Sequence, residues 1–186
     1  PSKLSLTTQP AATAQNGMNF PVQPVIQLRD AADNPVALGG VTVLVSLLSG
    51  GPALSGTSTA ITNASGVATF TNLRITGTVG KRTLIFAAGG YVSIESDTVN
   101  VVAGPAKALQ VTTTYSAAAR SSLPFAQQPV VQLVDESGNF ASEAGTTVTA
   151  AVATGGASIS GGTSVLTNAS GQAVFTTLSI TGLIGP

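Results

Sequence analysis

Two short clusters of side chains that carry oxygen atoms are the residues of this chain whose type and spacing could bind a metal ion. Residues 30–34 (DAADN) and 135–139 (DESGN) each bring acidic and amide side chains together in a short segment. Ca²⁺ prefers about six to eight such oxygens, so one interpretation is a calcium site. The same spacing is typical of a tight turn, in which Asp and Asn side chains accept hydrogen bonds from their own backbone, and we expect a turn. The calcium candidates are Asp30, Asp33, Asp135 and Glu136.

Most other catalytic chemistry is excluded by residue types that the chain lacks. It has no Cys, no His and no Trp, so it cannot form a Ser-His-Asp triad, a thiol nucleophile or a thiolate or imidazole metal site. Glu95 and Asp97 share one face of a predicted strand, but paired carboxylates hydrolyse glycosides only across a cleft, so we expect both to face solvent. The sequence predicts that the protein is not an enzyme and, calcium aside, carries no cofactor.

Charge is scarce and balanced. Only 8% of the 186 residues are charged, seven basic and seven acidic, whereas about 25% is usual in soluble proteins. Neither nucleic acid nor an anionic membrane is therefore an expected partner. Lys81 and Arg82 form the one adjacent basic pair, and we expect them to protect the edge of a sheet. No segment has the roughly 20 consecutive apolar residues of a spanning helix, so no transmembrane segment is expected.

An internal repeat divides the chain. Residues 23–30 (QPVIQLRD) return 105 residues later as 128–135 (QPVVQLVD), and 62–66 (TNASG) return at the same offset as 167–171. A fixed period marks the unit of folding. The sequence predicts two domains joined through Ala103-Gly104-Pro105, with boundaries at 1–103 and 104–186.

The repeated TNASG segment contains a formal N-glycosylation acceptor in each copy, at Asn63 and Asn168. Asn and Gly also supply the backbone geometry of a tight turn between two strands. We therefore predict hairpin turns at both places.

Apolar residues alternate with a period of two, and Val, Ile and Thr are abundant, which together predict strands. A sixth strand is predicted around Leu84 and Phe86, and a seventh from Tyr91 to Val101. About seven short antiparallel strands in roughly 100 residues are typical of an immunoglobulin-like β-sandwich. The strand faces predicted to be apolar comprise Val22, Ile26 and Leu28 in one strand and Val41, Val43, Val45 and Leu47 in the next.

Four segments of the first unit resemble a known family: residues 23–30, 33–35 (DNP), 40–43 (GVTV) and 62–70 (TNASGVATF). They are similar to the bacterial immunoglobulin-like repeats of invasin- and intimin-type surface proteins. The resemblance implies an all-β fold of tandem immunoglobulin-like sandwiches. It also implies a non-catalytic module, since the family offers no catalytic residues to transfer.

The second copy stops at Pro186, before the counterparts of residues 82–102, so we expect it to lack its last two strands. A sandwich without them exposes one face of its core and leaves backbone groups unpaired. Three explanations stay open: the polypeptide continues, the sequence was cut, or a neighbouring chain supplies a strand.

Two functions follow from these expectations. The first is a structural spacer or stalk of a larger secreted or cell-surface bacterial protein, with other repeats of the same chain as partners. The alternative is a binding module or peripheral subunit that docks onto a receptor, a glycan or a larger envelope assembly through a sheet edge or an uncharged face. A surface poor in charge is suited to such contact. Both place the protein outside the cytoplasm, in the extracellular space, at the cell surface or in the periplasm.

Overall fold

The structure, a computed structural model, describes residues 1–48 and 51–182. Every regular element in those residues is a β-strand and none is a helix, which confirms the all-β fold class. Consequently the described residues contain no helix that could span a membrane. The chain forms two compact units, which we call unit 1 (Pro1–Gly104) and unit 2 (Pro105–Pro186).

The strands of unit 1 are short, as their Gly- and Pro-rich connections require. In chain order they are β1 (Lys3–Thr8), β2 (Thr13–Gln15), β3 (Val25–Arg29), β4 (Thr42–Leu47), β5 (Ala53–Ser55), β6 (Thr59–Ile61), β7 (Val67–Thr69), β8 (Arg74–Thr76), β9 (Gly80–Arg82), β10 (Leu84–Ala87), β11 (Ile94–Glu95) and β12 (Val99–Val102).

Two antiparallel sheets of unit 1 enclose one apolar core. One sheet has the strand order β1-β3-β7 and the other the order β11-β10-β4-β6. The first contributes Ile26 and Leu28 to the core and the second contributes Val43 and Phe86, all fully buried. Because alternate residues of each strand point to this shared interior, the unit has the layered architecture of a β-sandwich.

A smaller sheet joins the two ends of unit 1. Strand β12 pairs with β9 on one side in antiparallel fashion and with β2 on the other side in parallel fashion. The β2–β12 pairing is extended by hydrogen bonds from Asn100 N–H to the Ala12 carbonyl and from Asn16 N–H to the Val102 carbonyl, both 2.8 Å. A segment near the start of the unit thus runs beside its last strand.

Strand β4 follows the predicted alternation, while two other predictions were wrong. Val43 and Val45 are buried within β4. Val22 is 46% exposed, because β3 begins only at Val25, after two prolines that lack a backbone donor. The predicted seventh strand is in fact two, β11 and β12, which belong to different sheets.

Unit 2 repeats the strands of unit 1 at a constant offset of 105 residues. In chain order they are β13 (Ala108–Thr113), β14 (Val130–Val134), β15 (Thr147–Thr149), β16 (Ser158–Ser160), β17 (Ser164–Leu166), β18 (Gln172–Val174) and β19 (Ser179–Thr181). They correspond to β1, β3, β4, β5, β6, β7 and β8. The pairings β13-β14-β18, β15-β17 and β16-β19 reproduce those of their counterparts.

The described part of unit 2 has no counterpart of β2. Residues 118–120, at the equivalent place, form no strand. In unit 1 the sole ladder of β2 is with β12, and the described residues of unit 2 include no counterpart of β12. A three-residue strand without its partner has no ladder to stabilise it.

Candidate functional site

The Asp30 carboxylate is held within its own turn. It accepts hydrogen bonds from the backbone N–H of Asn34 at 2.8 Å and from the Asn34 side-chain amide at 3.0 Å. These bonds favour the ionised form, so the Asn34 side chain first, and then its backbone, lowers the pKa of Asp30. Both carboxylate oxygens are thereby occupied by the turn.

Asp33 faces cations. Its carboxylate lies 3.0 Å from the Lys3 Nζ and 3.9 Å from the Arg29 Nε. Arg29 also donates from Nη1 to the backbone carbonyl of Asp33 at 2.6 Å. Asp33 itself has a φ of 70°, in the left-handed region. The structure therefore places Asp33 in an ion pair on the outside of the same turn.

The second acidic loop has the same arrangement. The buried Asp135 carboxylate accepts hydrogen bonds from the backbone N–H groups of Ser137 and Asn139, both at 2.9 Å. Glu136 beside it is exposed. The described residues contain no group of three or more acidic side chains placed to hold a metal ion. The turn that the spacing predicts is present in both units.

The two TNASG segments also form turns. The Asn63 side-chain oxygen accepts hydrogen bonds from the N–H groups of Ser65 and Val67, and Asn168 does the same in unit 2. The turn leads from β6 to β7, which pair with β4 and β3 respectively. The hairpin prediction was wrong in this respect, since the turn connects the two sheets of the sandwich instead of two paired neighbours.

The remaining charged candidates lie on exposed or edge positions. Lys81 and Arg82 belong to β9, at the edge of its sheet, as expected. The Arg82 guanidinium donates to the carbonyls of Thr78 and Lys81, which fixes the preceding loop. Glu95 and Asp97 are exposed.

Two buried glutamines were missed by the sequence analysis. The Gln27 Nε2 lies 3.1 to 3.2 Å from the carbonyl oxygens of Leu28, Ser65 and Gly66. Gln132 repeats these contacts in unit 2 and is 1% exposed. Because Gln27 alternates with the core residues Ile26 and Leu28, the pattern predicts that it lies on the outer, solvent-facing side of the strand. The signal that could have revealed its role is that glutamine occupies this position in both copies.

Gly66 shows why that outer face is closed. It has a φ of 75°, and a Cβ at this position would collide with the Val36 backbone carbonyl; Gly171 has the same φ and the same conflict with Ala141. The turn and the segment after the Asp30 loop therefore lie directly against β3 and cover its glutamine.

An apolar groove lies on one side of the described part of unit 2. Its volume is about 550 Å³. Its lining has no charged side chain and is mostly apolar, and it comes from β13, β14, β15, β16 and β19 and from the connections between strands. It includes Leu109, Val111, Tyr115, Phe125, Val148, Val152, Phe175 and Leu178.

Comparison between the two units shows that the groove is an uncovered core. Leu109 is 57% exposed, whereas its counterpart Leu4 is 3% exposed. The core of unit 1 includes Leu84, Phe86, Val99 and Val101, from β10 and β12, and the described residues of unit 2 include no counterpart of these two strands. Inward-facing side chains of β13 therefore line an open surface in the described part of unit 2.

The same opening exposes one edge of β15. Residues 147–149 pair with β17, and the Ala150 N–H continues that pairing by donating to the Thr163 carbonyl at 2.8 Å. In unit 1 the corresponding edge of β4, the counterpart of β15, pairs with β10. No strand occupies that edge among the described residues of unit 2.

No protein-family model matches the chain, and no curated protein matches it. The resemblance to bacterial immunoglobulin-like repeats therefore depends on the residues and the repeat quoted above.

Proposed function

We propose that the chain is a non-catalytic spacer or stalk segment of a secreted or cell-surface bacterial protein, built from tandem immunoglobulin-like sandwiches. The polar residues that recur in both copies support this function. Gln27, Asp30 and Asn63, like their counterparts, bind the backbone of their own unit. These recurring side chains therefore stabilise the fold of each unit.

The observation that carries the proposal is the parallel pairing of β2 with β12. Once β1 has been detached from β3, force applied to the two ends of unit 1 pulls β2 toward its N-terminal end and β12 toward its C-terminal end. Because the strands run in the same direction, this force slides them past one another and loads their hydrogen bonds together instead of one at a time. Such an arrangement resists stretching, which a spacer requires.

Single-molecule force spectroscopy on the 186-residue chain, held at its termini, tests the proposal. We expect unit 1 to unfold in one event that releases roughly 350 Å of extended chain, before the folded span is subtracted. Asn100→Pro removes the N–H that donates to Ala12 and should lower the unfolding force. Asn100→Ala keeps that donor and serves as the matched control.

Equilibrium unfolding in urea establishes that Asn100→Pro is folded before it is stretched. An unfolding force that is the same for Asn100→Pro and the parent chain would contradict the mechanical role of this pairing. Gradual extension of unit 1 without a distinct event would contradict the spacer function itself.

A second candidate function is that of a binding module that docks onto a receptor, a glycan or a larger envelope assembly through a sheet edge or an uncharged face. The scarcity of charge favours it, since only 8% of the residues are charged and a charge-poor surface is suited to contact with a partner.

A further inference from the structure

We propose that Asn16-Gly17 is a site of self-modification that the fold of unit 1 protects. When the chain after β2 opens, the Asn16 side chain cyclises onto the backbone and loses ammonia, and an isoaspartate or aspartate is left in its place. The modification records that this segment has opened, and it weakens the unit. This inference goes beyond the spacer function and does not depend on it.

The chemistry depends on the residue that follows the asparagine. Asn16-Gly17 is the one Asn-Gly pair in the sequence, and glycine has no side chain to hinder its own backbone nitrogen. The Gly17 nitrogen forms a bond to the Asn16 Cγ, while the Cγ–Nδ2 bond breaks and Nδ2 leaves as ammonia with the proton of the Gly17 nitrogen. Water then opens the cyclic succinimide at either carbonyl, which gives isoaspartate or aspartate. Water is the only co-reactant.

The folded unit holds both reacting groups in other contacts. The Gly17 N–H donates to the Ile75 carbonyl at 2.8 Å, and the Asn16 Oδ1 accepts from the Gly77 N–H at 2.7 Å. The Asn16 N–H donates to the Val102 carbonyl at 2.8 Å, and Asn16 is only 4% exposed. Cyclisation must break the bond of the attacking nitrogen and turn the Asn16 side chain. It therefore requires the segment to open.

Unit 2 keeps these contacts without the reactive pair. Ser121 and Ser122 occupy the equivalent positions. The Ser122 N–H donates to the Ile180 carbonyl at 2.9 Å, and the Ser121 Oγ accepts from the Gly182 N–H at 3.3 Å. Ser122 has a φ of 65°, close to the 75° of Gly17. The turn thus forms without Asn or Gly, and unit 2 supplies the substitution for an unreactive control.

Both products disturb the site. Aspartate puts a negative charge where the Asn16 side chain is buried, and an unpaired buried charge is costly. Isoaspartate adds a methylene to the main chain, which displaces the bonds from Gly17 to Ile75 and from Asn16 to Val102. These bonds lie beside the parallel pairing of β2 with β12. Modification should therefore destabilise unit 1, and refolding does not reverse it.

The test compares the rate of isoaspartate formation at Asn16 in the 186-residue chain with that in a peptide of residues 12–21 (ATAQNGMNFP), which has no fold to protect it. Both are incubated in the same neutral buffer, and mass spectrometry of proteolytic fragments locates the product. The chain should react at least roughly tenfold more slowly, because modification of an open state tracks the population of that state. Equal rates would overturn the proposal.

Two further measurements test whether opening controls the rate. As urea unfolds unit 1, the rate in the parent chain should rise toward that of the peptide, and a rate that stays constant would contradict the proposal. Asn100→Pro removes the N–H that donates to Ala12 beside β2 and should accelerate the reaction severalfold under folding conditions. Asn100→Ala keeps that donor and is the matched control. The proposal fails if these two variants react equally fast.

The modified protein gives a readout of the damage. Ion exchange separates it from the parent, because it carries one additional negative charge. Its unit 1 should unfold at a urea concentration lower by roughly 0.5 M or more. Asn16→Ser introduces the residue of unit 2 and, after the same incubation, should keep its own midpoint. An unchanged midpoint in the modified chain would refute the weakening and with it the proposal.

Discussion

Asp30 illustrates how single residues of this chain are used for local structure. Its carboxylate is bound by Asn34 through the side chain and the backbone, which lowers its pKa below the usual 3.8. A carboxyl group with a lowered folded-state pKa stabilises the fold above its unfolded-state pKa, and this contribution is lost as the pH falls through the folded value.

The corresponding prediction concerns pH. Asp30→Asn should be less stable than the parent at pH 7, and the difference should shrink as the pH falls below about 3.8. Urea unfolding of both proteins between pH 7 and pH 2 measures it. Asn34→Ala removes the side-chain donor to Asp30. In this background, the stability difference between Asp30 and Asp30→Asn at neutral pH should be smaller. A gap that stays constant with pH would contradict the role assigned to the carboxylate.

The same variants address calcium. If the acidic loops are turns, added Ca²⁺ should leave the thermal midpoint of the parent chain unchanged. A rise that disappears in a variant carrying both Asp30→Asn and Asp135→Asn would establish a calcium site instead.

At the residue scale, the sequence predicted the acidic turns but not the buried glutamines. Asp and Asn form turns through neighbours in the chain, so spacing alone is informative. The contacts of Gln27 reach 38 and 39 residues along the chain, and no local pattern contains that information.

At the scale of elements, alternation predicted β4 because one of its faces is buried along its length. It did not predict the break between β11 and β12. Buried Ser96 lies there, where its hydroxyl accepts from the Leu84 N–H and donates to the Asp97 carbonyl. These bonds turn the chain from one sheet to the other.

The groove in unit 2 was foreseen only as an open core face. Counting strands predicted that the second copy lacks its last two strands. The sequence does not determine how the strands pair. The pairing register of the structure shows which side chains of β13 are uncovered and which edge of β15 is unpaired among the described residues.

A prediction at the element scale compares two equivalent aromatic residues. Phe70→Ala should cost about 3 to 5 kcal/mol, the usual penalty for a buried Phe. Both rings are 2% exposed, but Phe175→Ala should cost less, because Phe175 has no counterpart of the Phe86 ring against it among the described residues. Urea unfolding of the two variants measures the difference. An equal cost would show that the contact with Phe86 adds little to the stabilisation by Phe70.

For the whole molecule, the two units should unfold separately. Among the described residues, the main buried cluster of unit 1 has fifteen apolar members and that of unit 2 has five. Less buried apolar surface gives lower stability, so unit 2 should unfold at a urea concentration lower by about 1 M or more.

The two tyrosines allow each transition to be followed. The chain has two Tyr and no Trp, with Tyr91 in unit 1 and Tyr115 in unit 2. Tyrosine fluorescence of the Tyr115→Phe variant therefore reports on unit 1, and that of Tyr91→Phe on unit 2. Coincident midpoints in the two variants would mean that the chain unfolds as one cooperative body.

The two glycines with left-handed backbone, Gly66 and Gly171, have a consequence for how further copies of this repeat can be recognised. Gly66 and Gly171 cannot acquire a side chain without displacing a neighbouring backbone, and each contacts a glutamine 39 residues earlier. Exposed positions of a duplicated gene can drift independently, whereas this pair is constrained to evolve together. In a longer genomic sequence, Gln and Gly at that separation would count the copies of the repeat even after overall identity has decayed.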